Sequence, residues 1–404
     1  MAGANYTPED VFWGELGGCL EMLEAGTTTV VDHAHISHSP EHNTAALAAA
    51  VSSGIRSIYC YTPVGRIKAW KPKLEMEQSL FPDWLWEQLE LLCKSGPLGD
   101  GRVTMGFGFD MFYLPKEMVI DIFNKVRGLG VKTITSHYLP TFFPGSTVDL
   151  LDTYGLLESD ILLSHTNGLS PTDVEKLQKA NGAISSTPDT ELQMGQGWPV
   201  CFQDNIKSIS SLGVDCHSNN TGSLVAQMRV GLQAERGRRN GETLQAGKLP
   251  GKIPVSTQEA FQLGTIRGAR AIKMAERLGS LEEGKAADLV VFDTLSPGMI
   301  CAAEEDPIGA IILHSSVADV DAVLVDGQFR KRGGRLGTTK LDLTLAPNLK
   351  TNKTEVQWRD VALQLLQGRE KILEAEEESG ANDWEAALES VVALSGVKKE
   401  TLDL

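Results

Sequence analysis

The sequence is poor in the features that would mark it as a membrane, secreted or nucleic-acid-binding protein. No stretch of its 404 residues approaches the roughly 18 consecutive apolar residues of a transmembrane helix. The first residues, MAGANYTPEDVFWGELGG, carry no basic segment followed by an apolar run, so no secretory signal is visible. Positive charge is also in short supply. There are 37 Lys and Arg against 53 Asp and Glu, a formal net charge of −16. Such a chain repels nucleic acid and anionic membrane surfaces, and its densest basic stretch, Arg236 to Arg239, is too short to reverse that. Cysteine is sparse. Cys19, Cys60, Cys93, Cys201, Cys216 and Cys301 lie far apart and form no C-x-x-C pair. That excludes a disulfide framework and a zinc knuckle and points to a reducing, cytoplasmic setting.

The rest is ordinary for a globular protein, with 42% hydrophobic and 22% charged residues. The chain alternates strand-like and helix-like segments. Helices are predicted over 8–25, 41–53, 81–93, 117–129, 148–154 and 171–180. Strands are predicted over 26–32, 54–60, 102–109, 131–136, 160–164, 182–186 and 213–215, where β-branched and apolar residues dominate. This spacing implies parallel βα units. Seven such strands precede residue 216, one fewer than closes a (β/α)8 barrel, a fold whose chemistry sits at the C-terminal strand ends. Here those ends carry Asp32-His33-Ala34-His35, Ser136-His137, Ser164-His165 and Asp215-Cys216-His217. After residue 255 the pattern changes to one helix over 256–276, then short strands with polar turns over 279–285, 287–292 and 320–326, then a charged helical tail. Three segments are expected: a barrel over 1–275, a β-sandwich module over 276–345 and the tail over 346–404. The acidic run Glu374 to Glu378 reads as a solvated face.

Four stretches resemble the metal-dependent amidohydrolase superfamily, in its cytosine-deaminase-like and chlorohydrolase-like branch. They are Leu23 to Asp32 (LEAGTTTVVD), Leu162 to Ser170 (LLSHTNGLS), Leu212 to Asp215 (LGVD) and the long run Ala269 to Asp293 (ARAIKMAERLGSLEEGKAADLVVFD). The resemblance spans about residues 10 to 340. It implies a (β/α)8-type TIM barrel with a small, partial β-sandwich. It also implies one divalent metal ion, with zinc expected first and iron or manganese as the other choices. His137 falls at the strand-five ligand position, His165 at the strand-six position and Asp215 at the strand-eight position. The resemblance therefore implies His137, His165 and Asp215 as metal ligands, with Asp215 and His165 catalytic.

Three departures from the family pattern are visible. The family's first strand and its His-x-His pair are expected upstream of Gly26, and only 25 residues without histidine stand there. The run His137-Tyr-Leu-Pro140 lacks the Glu that deaminases of this branch carry three residues after the strand-five His. Ser185-Ser-Thr-Pro-Asp-Thr-Glu191 replaces a Ser-His-Cys-Pro run. His33 and His35 have His-x-His spacing and share one face of a strand. They either contact substrate, replace the missing pair or serve structure. Glu191, Trp198 and His217 are further substrate-contact candidates, His38 and His42 are expected at the rim, and His314 in the β module.

The function that follows is hydrolysis of a non-peptide C–N bond in a small cyclic compound by metal-activated water, with Asp215 as general base. The alternative is an inactive or truncated relative that serves binding or assembly. The expected partner is a small-molecule substrate, with no nucleic acid and no membrane. A homo-oligomer remains open, because relatives often assemble.

Overall fold

The computed structural model describes residues 2–70, 75–139 and 145–379, together with Glu389 and Val392. The first long helix, α1 (Pro8–Glu24), starts where the sequence supplies a complete cap. Thr7 accepts from the Asp10 amide, Asp10 returns a bond to Thr7, and Pro8 occupies the first turn. There follow β1 (Thr29–Ala34), α2 (Pro40–Ser53), β2 (Arg56–Tyr61), the small hairpin β3 (Ile67–Ala69) and β4 (Glu75–Met76), α3 (Asp83–Ser95), β5 (Val103–Gly108), α4 (Lys116–Gly128) and β6 (Ile134–Tyr138). Next come α5 (Thr147–Thr153), β7 (Ile161–His165), α6 (Pro171–Ala180), β8 (Ala183–Ser186), α7 (Pro188–Gln193), β9 (Ser210–Leu212) and α8 (Leu224–Gln245).

Seven of these strands form one sheet in the order β1-β2-β5-β6-β7-β8-β9. All its pairings are parallel, and spatial order equals chain order, as repeated βα units require. Every residue of β2 is buried, which matches a central parallel strand covered on both faces. β1 and β9 are the sheet's edges, and among the described residues no strand bridges them. The architecture is thus mixed α/β with a parallel sheet of barrel type. The large apolar core lies beneath it, built from Tyr59, Tyr61, Phe107, Phe109, Phe123, Leu163 and their neighbours.

The seventh strand sits three residues earlier than the sequence suggests. β9 is Ser210–Leu212, not 213–215. The Gly213 amide still reaches Ser186 O at 2.8 Å, but Asp215 adopts φ 57°, which no strand accommodates. The single helix expected over 256–276 is two, α9 (Thr257–Leu263) and α10 (Ile266–Ala271). The break falls at Gly264, where a Cβ would stand 2.0 Å from the Met228 Cε. Ser256 caps α9 as its sequence predicts.

A second sheet is antiparallel, with β10 (Leu289–Phe292), β11 (Val320–Val325), β12 (Gln328–Arg332) and β13 (Arg335–Leu336) in that order. Its Val320, Val323 and Val325 share a core with Phe12, Leu16, Leu20 and Leu23 of α1. Arg56, at the start of β2, ties the two sheets together. Its Nε and Nη2 donate to the Asp288 carboxylate at 2.7 and 3.0 Å, and Nη2 also faces Asp326 at 3.4 Å. His314 lies outside this sheet. It is exposed at the end of the helix Pro307–Leu313. The expected tail contains the helix Trp358–Ser379. Apart from Glu389 and Val392, its remainder from 380 to 404 lies outside the described residues.

Candidate metal and active site

The C-terminal ends of β1, β5, β6, β7 and β8 converge. Alternation along β1 puts His33 and His35 on one face, and their rings stack with centroids 4.8 Å apart. His137, near the end of β6, lies 4.6 Å from the His33 ring and 5.4 Å from that of His35. One ligand nitrogen from each of the three falls within 4.8 Å of the others. The His165 ring, at the end of β7, stacks against His137 at 5.6 Å. The expectation that the chain lacks a His-x-His pair at its metal site is therefore not upheld. His33-Ala34-His35 occupies that role geometrically, beside His137, although it lies on the strand assigned to substrate contact.

Asp110, just beyond β5, organises the group. Its carboxylate accepts from Ser136 Oγ at 3.0 Å, from the His137 amide at 2.8 Å, and lies 2.8 Å from His137 Nδ1. It also lies 3.2 Å from His33 Nε2, but off the line of a hydrogen bond, so both His33 ring nitrogens are buried without a hydrogen-bond partner. Room for that ring depends on Gly108, where a Cβ would stand 2.9 Å from His33 Nε2 and 2.2 Å from Thr62 Oγ1.

Protonation follows from these contacts. Burial lowers the His33 pKa, partly opposed by Asp110. His35 is the most open of the three by surface, yet loss of hydration on its inner side and the two neighbouring imidazoles push it down to about 4. Burial likewise pushes His165 down to about 4, against the pull of Asp215. These three rings are therefore neutral at pH 7. His137 goes the other way, because the hydrogen bond and charge of Asp110 outweigh its burial. Asp110 itself is held well below the usual carboxylate range. Its burial would raise it, and His137 and His33 more than reverse that.

The fit to a divalent cation is good. Three imidazoles converge, one with orphaned buried nitrogens, in a space that only glycine leaves open. His137 is oriented through its far nitrogen by a carboxylate, as metal-bound histidines usually are. Strain gathers here too. His165, Thr166 and Asp215 have φ of 68°, 71° and 57°, a region costly for side-chain-bearing residues, above all a β-branched one, and frequent at functional sites.

The other candidates divide. Asp215 is exposed at the mouth, and its charge acts on His35, His137 and His165. His217 is a rim residue, 71% exposed and 2.8 Å from Glu21 of α1. Trp198 is half exposed, and its carbonyl accepts from Asn167 Nδ2 at 2.8 Å. Glu191 is enclosed, not open to a ligand. It is fully buried, and its carboxylate accepts from Ser186 Oγ at 3.0 Å and from the Thr187 amide at 2.6 Å. His38 and His42 hold backbone carbonyls of Gly3 and Tyr6. Sequence reasoning missed Asp110 and Thr187. Asp110 follows the predicted strand 102–109 directly, so the strand-end rule that found the histidines would also have found it.

A model of the amidohydrolase family matches residues 123–330. The chain belongs to the amidohydrolase family. It is a hydrolase, and its relatives are deaminases by name. Over 345 residues this amidohydrolase is 25% identical to the 5-methylthioadenosine/S-adenosylhomocysteine deaminase of Moorella thermoacetica, covering 82% of this chain and 73% of that protein. Over 352 residues it is 25% identical to the 5'-deoxyadenosine deaminase of Methanobrevibacter smithii, with 83% and 74% covered. In fold, the amidohydrolase matches an adenosine deaminase from Xanthomonas campestris with bound zinc at a TM-score of 0.71 and 17% identity, over 91% of this chain and 76% of that one. It matches the zinc-complexed atrazine chlorohydrolase of Arthrobacter aurescens TC1 at 0.67 and 20% identity, over 85% and 77%. No helix among the amidohydrolase's described residues is long and apolar enough to cross a membrane.

Proposed function

We propose that this chain is a metal-dependent hydrolase that replaces an amino group on a ring carbon of a small purine-like compound with oxygen. The observation that carries the reading is the set of His33, His35 and His137, with ligand atoms within 4.8 Å at the strand ends where barrel enzymes do their chemistry. The deaminase names of the relatives supply the substrate class.

His33, His35 and His137 would hold the cation, with Asp110 fixing the ring of His137. Zinc is the first choice, given three imidazole donors and the zinc named with fold neighbours. When bound, such an ion lowers the pKa of water toward neutrality and stabilises developing negative charge. Asp215, at the mouth, takes the proton of the attacking water as the C–O bond forms and returns it to the departing nitrogen as the C–N bond breaks, so that ammonia leaves. His165 steadies the oxygen on the opposite side. Trp198 and His217 line the approach for the ring.

The test is metal content by mass spectrometry, coupled to ammonia release from 5'-methylthioadenosine, S-adenosylhomocysteine and adenosine. The reading expects about one metal ion per chain, lost in His137→Ala. It expects ammonia from at least one nucleoside, abolished in Asp215→Ala. No metal after incubation with zinc, iron and manganese would overturn it.

A further inference from the structure

Thr187 follows β8 directly and is 4% exposed. Its Oγ1 lies 2.7 Å from Nδ1 of His165. Among the described residues that ring nitrogen is the hydroxyl's one hydrogen-bond partner. Its backbone is clamped. The Thr187 amide donates to Glu191 Oε1 at 2.6 Å, and the Glu191 amide donates back to Thr187 O at 3.0 Å. Ser186 Oγ donates to the same carboxylate, and among the described residues the Thr187 hydroxyl makes no hydrogen bond to it.

A threonine hydroxyl has one proton and two lone pairs, and a neutral imidazole has one N–H and one bare nitrogen. If Nδ1 carried the His165 proton, Thr187 would accept it, and its own buried hydroxyl proton would have no acceptor. If the hydroxyl donates to a bare Nδ1, the hydroxyl and Nδ1 satisfy each other, and the ring proton sits on Nε2, which is not among the fully buried atoms left without a partner. Buried polar groups settle into the satisfied arrangement. The set of ligand nitrogens within 4.8 Å of one another is formed by His33, His35 and His137 and does not include His165.

We propose that Thr187, anchored by Glu191, is a positioning residue that fixes His165 in the tautomer with its proton on Nε2, so that His165 acts as a hydrogen-bond donor and not as a metal ligand. This deepens the hydrolase reading and rests on it for its consequence in catalysis. The tautomer itself is a property of the metal-free chain.

The experiment is long-range ¹⁵N–¹H correlation NMR of the full-length, ¹⁵N-histidine-labelled, metal-free protein, with His165 assigned by its absence in His165→Asn. Wild type should show the Nε2–H pattern. Thr187→Val, which keeps the shape and loses the hydroxyl, should lose it, and Thr187→Ser should restore it. An Nδ1–H pattern in wild type, or an unchanged pattern in Thr187→Val, would overturn the proposal. Zinc titration should give wild type and His165→Asn the same stoichiometry, and loss of the ion in His165→Asn would also overturn it. In turnover, Thr187→Val should lower kcat about 10- to 100-fold with KM nearly unchanged, the usual scale for a group that orients a site residue. If wild type releases no ammonia, the hydrolase reading fails, and the tautomer pattern still decides the proposal.

Discussion

At the start of β2, the Arg56 side chain is 3% exposed and is held by a two-toothed contact with Asp288, itself 6% exposed, with Asp326 alongside. At the other end of the same sheet, His33 is 11% exposed and leaves both ring nitrogens without a hydrogen bond. One end meets the cost of burying polar groups with partners inside the chain. The other end leaves that cost standing, next to three residues in left-handed backbone. The difference separates what holds the fold from what is kept ready for something outside it.

Breaking the satisfied end should produce the largest change. Arg56→Met strands the Asp288 carboxylate, and removing one partner of a buried pair costs roughly 3–5 kcal/mol. Urea denaturation should show that loss, while the metal content of the folded fraction stays unchanged.

The next test sets two buried glutamates against each other. Among the described residues no cation pairs with Glu191, and burial pushes its carboxyl up to about 7 from a reference of 4.5. The folded chain therefore binds this proton more tightly than the unfolded one. Its contribution is complete below pH 4.5 and falls away as pH rises to about 7. Glu191→Gln should flatten that slope and gain up to about 3 kcal/mol over wild type at pH 8, read from melting curves across the range. A wild type equally stable at pH 5 and pH 8 would defeat this account.

Asp110→Asn should leave the fold almost intact and weaken zinc binding about 10- to 100-fold, since the residue holds the ring of His137 through its Nδ1. Calorimetry on metal-stripped protein measures it. The smallest effect belongs to Glu235 of α8, the counterpart of Glu191. Burial would raise this carboxyl, but Arg238 and Arg239 lower it overall. Its stabilisation is present above pH 4.5 and lost as the solution becomes more acid. Glu235→Gln should cost about 1 kcal/mol at pH 7, because both arginines are partly exposed and screened. That cost should shrink toward zero below pH 4, opposite in slope to Glu191.

Much of this was legible in the sequence. β-branched runs marked six of the seven sheet strands to within a few residues, and the rule that barrel chemistry sits at strand ends picked out His33, His35, His137 and His165. The seventh strand slipped because Val214 looks extended in sequence, while the turn at Asp215 is a matter of backbone angle that composition does not reveal. Whether His33 and His35 face His137 was beyond reach, since alternation gives a common face but not its direction. Glu191 misled for a related reason. A carboxylate in a strand-end loop looks available until Ser186 and the Thr187 amide are seen to close around it.

The order of the strands has one more consequence. Neighbours in the sheet are neighbours in the chain, so the layer can grow unit by unit as the polypeptide emerges from synthesis. The histidine set does not grow that way. It joins His35 to His137 across every unit between them, and it exists only when all of those units have been laid down in register. A cation captured there would close that long loop and favour the joined β1-β2-β5-β6 part of the sheet over any less complete version of it. Metal content would then count the molecules in which that part of the sheet has assembled, a measure of assembly as well as of chemistry.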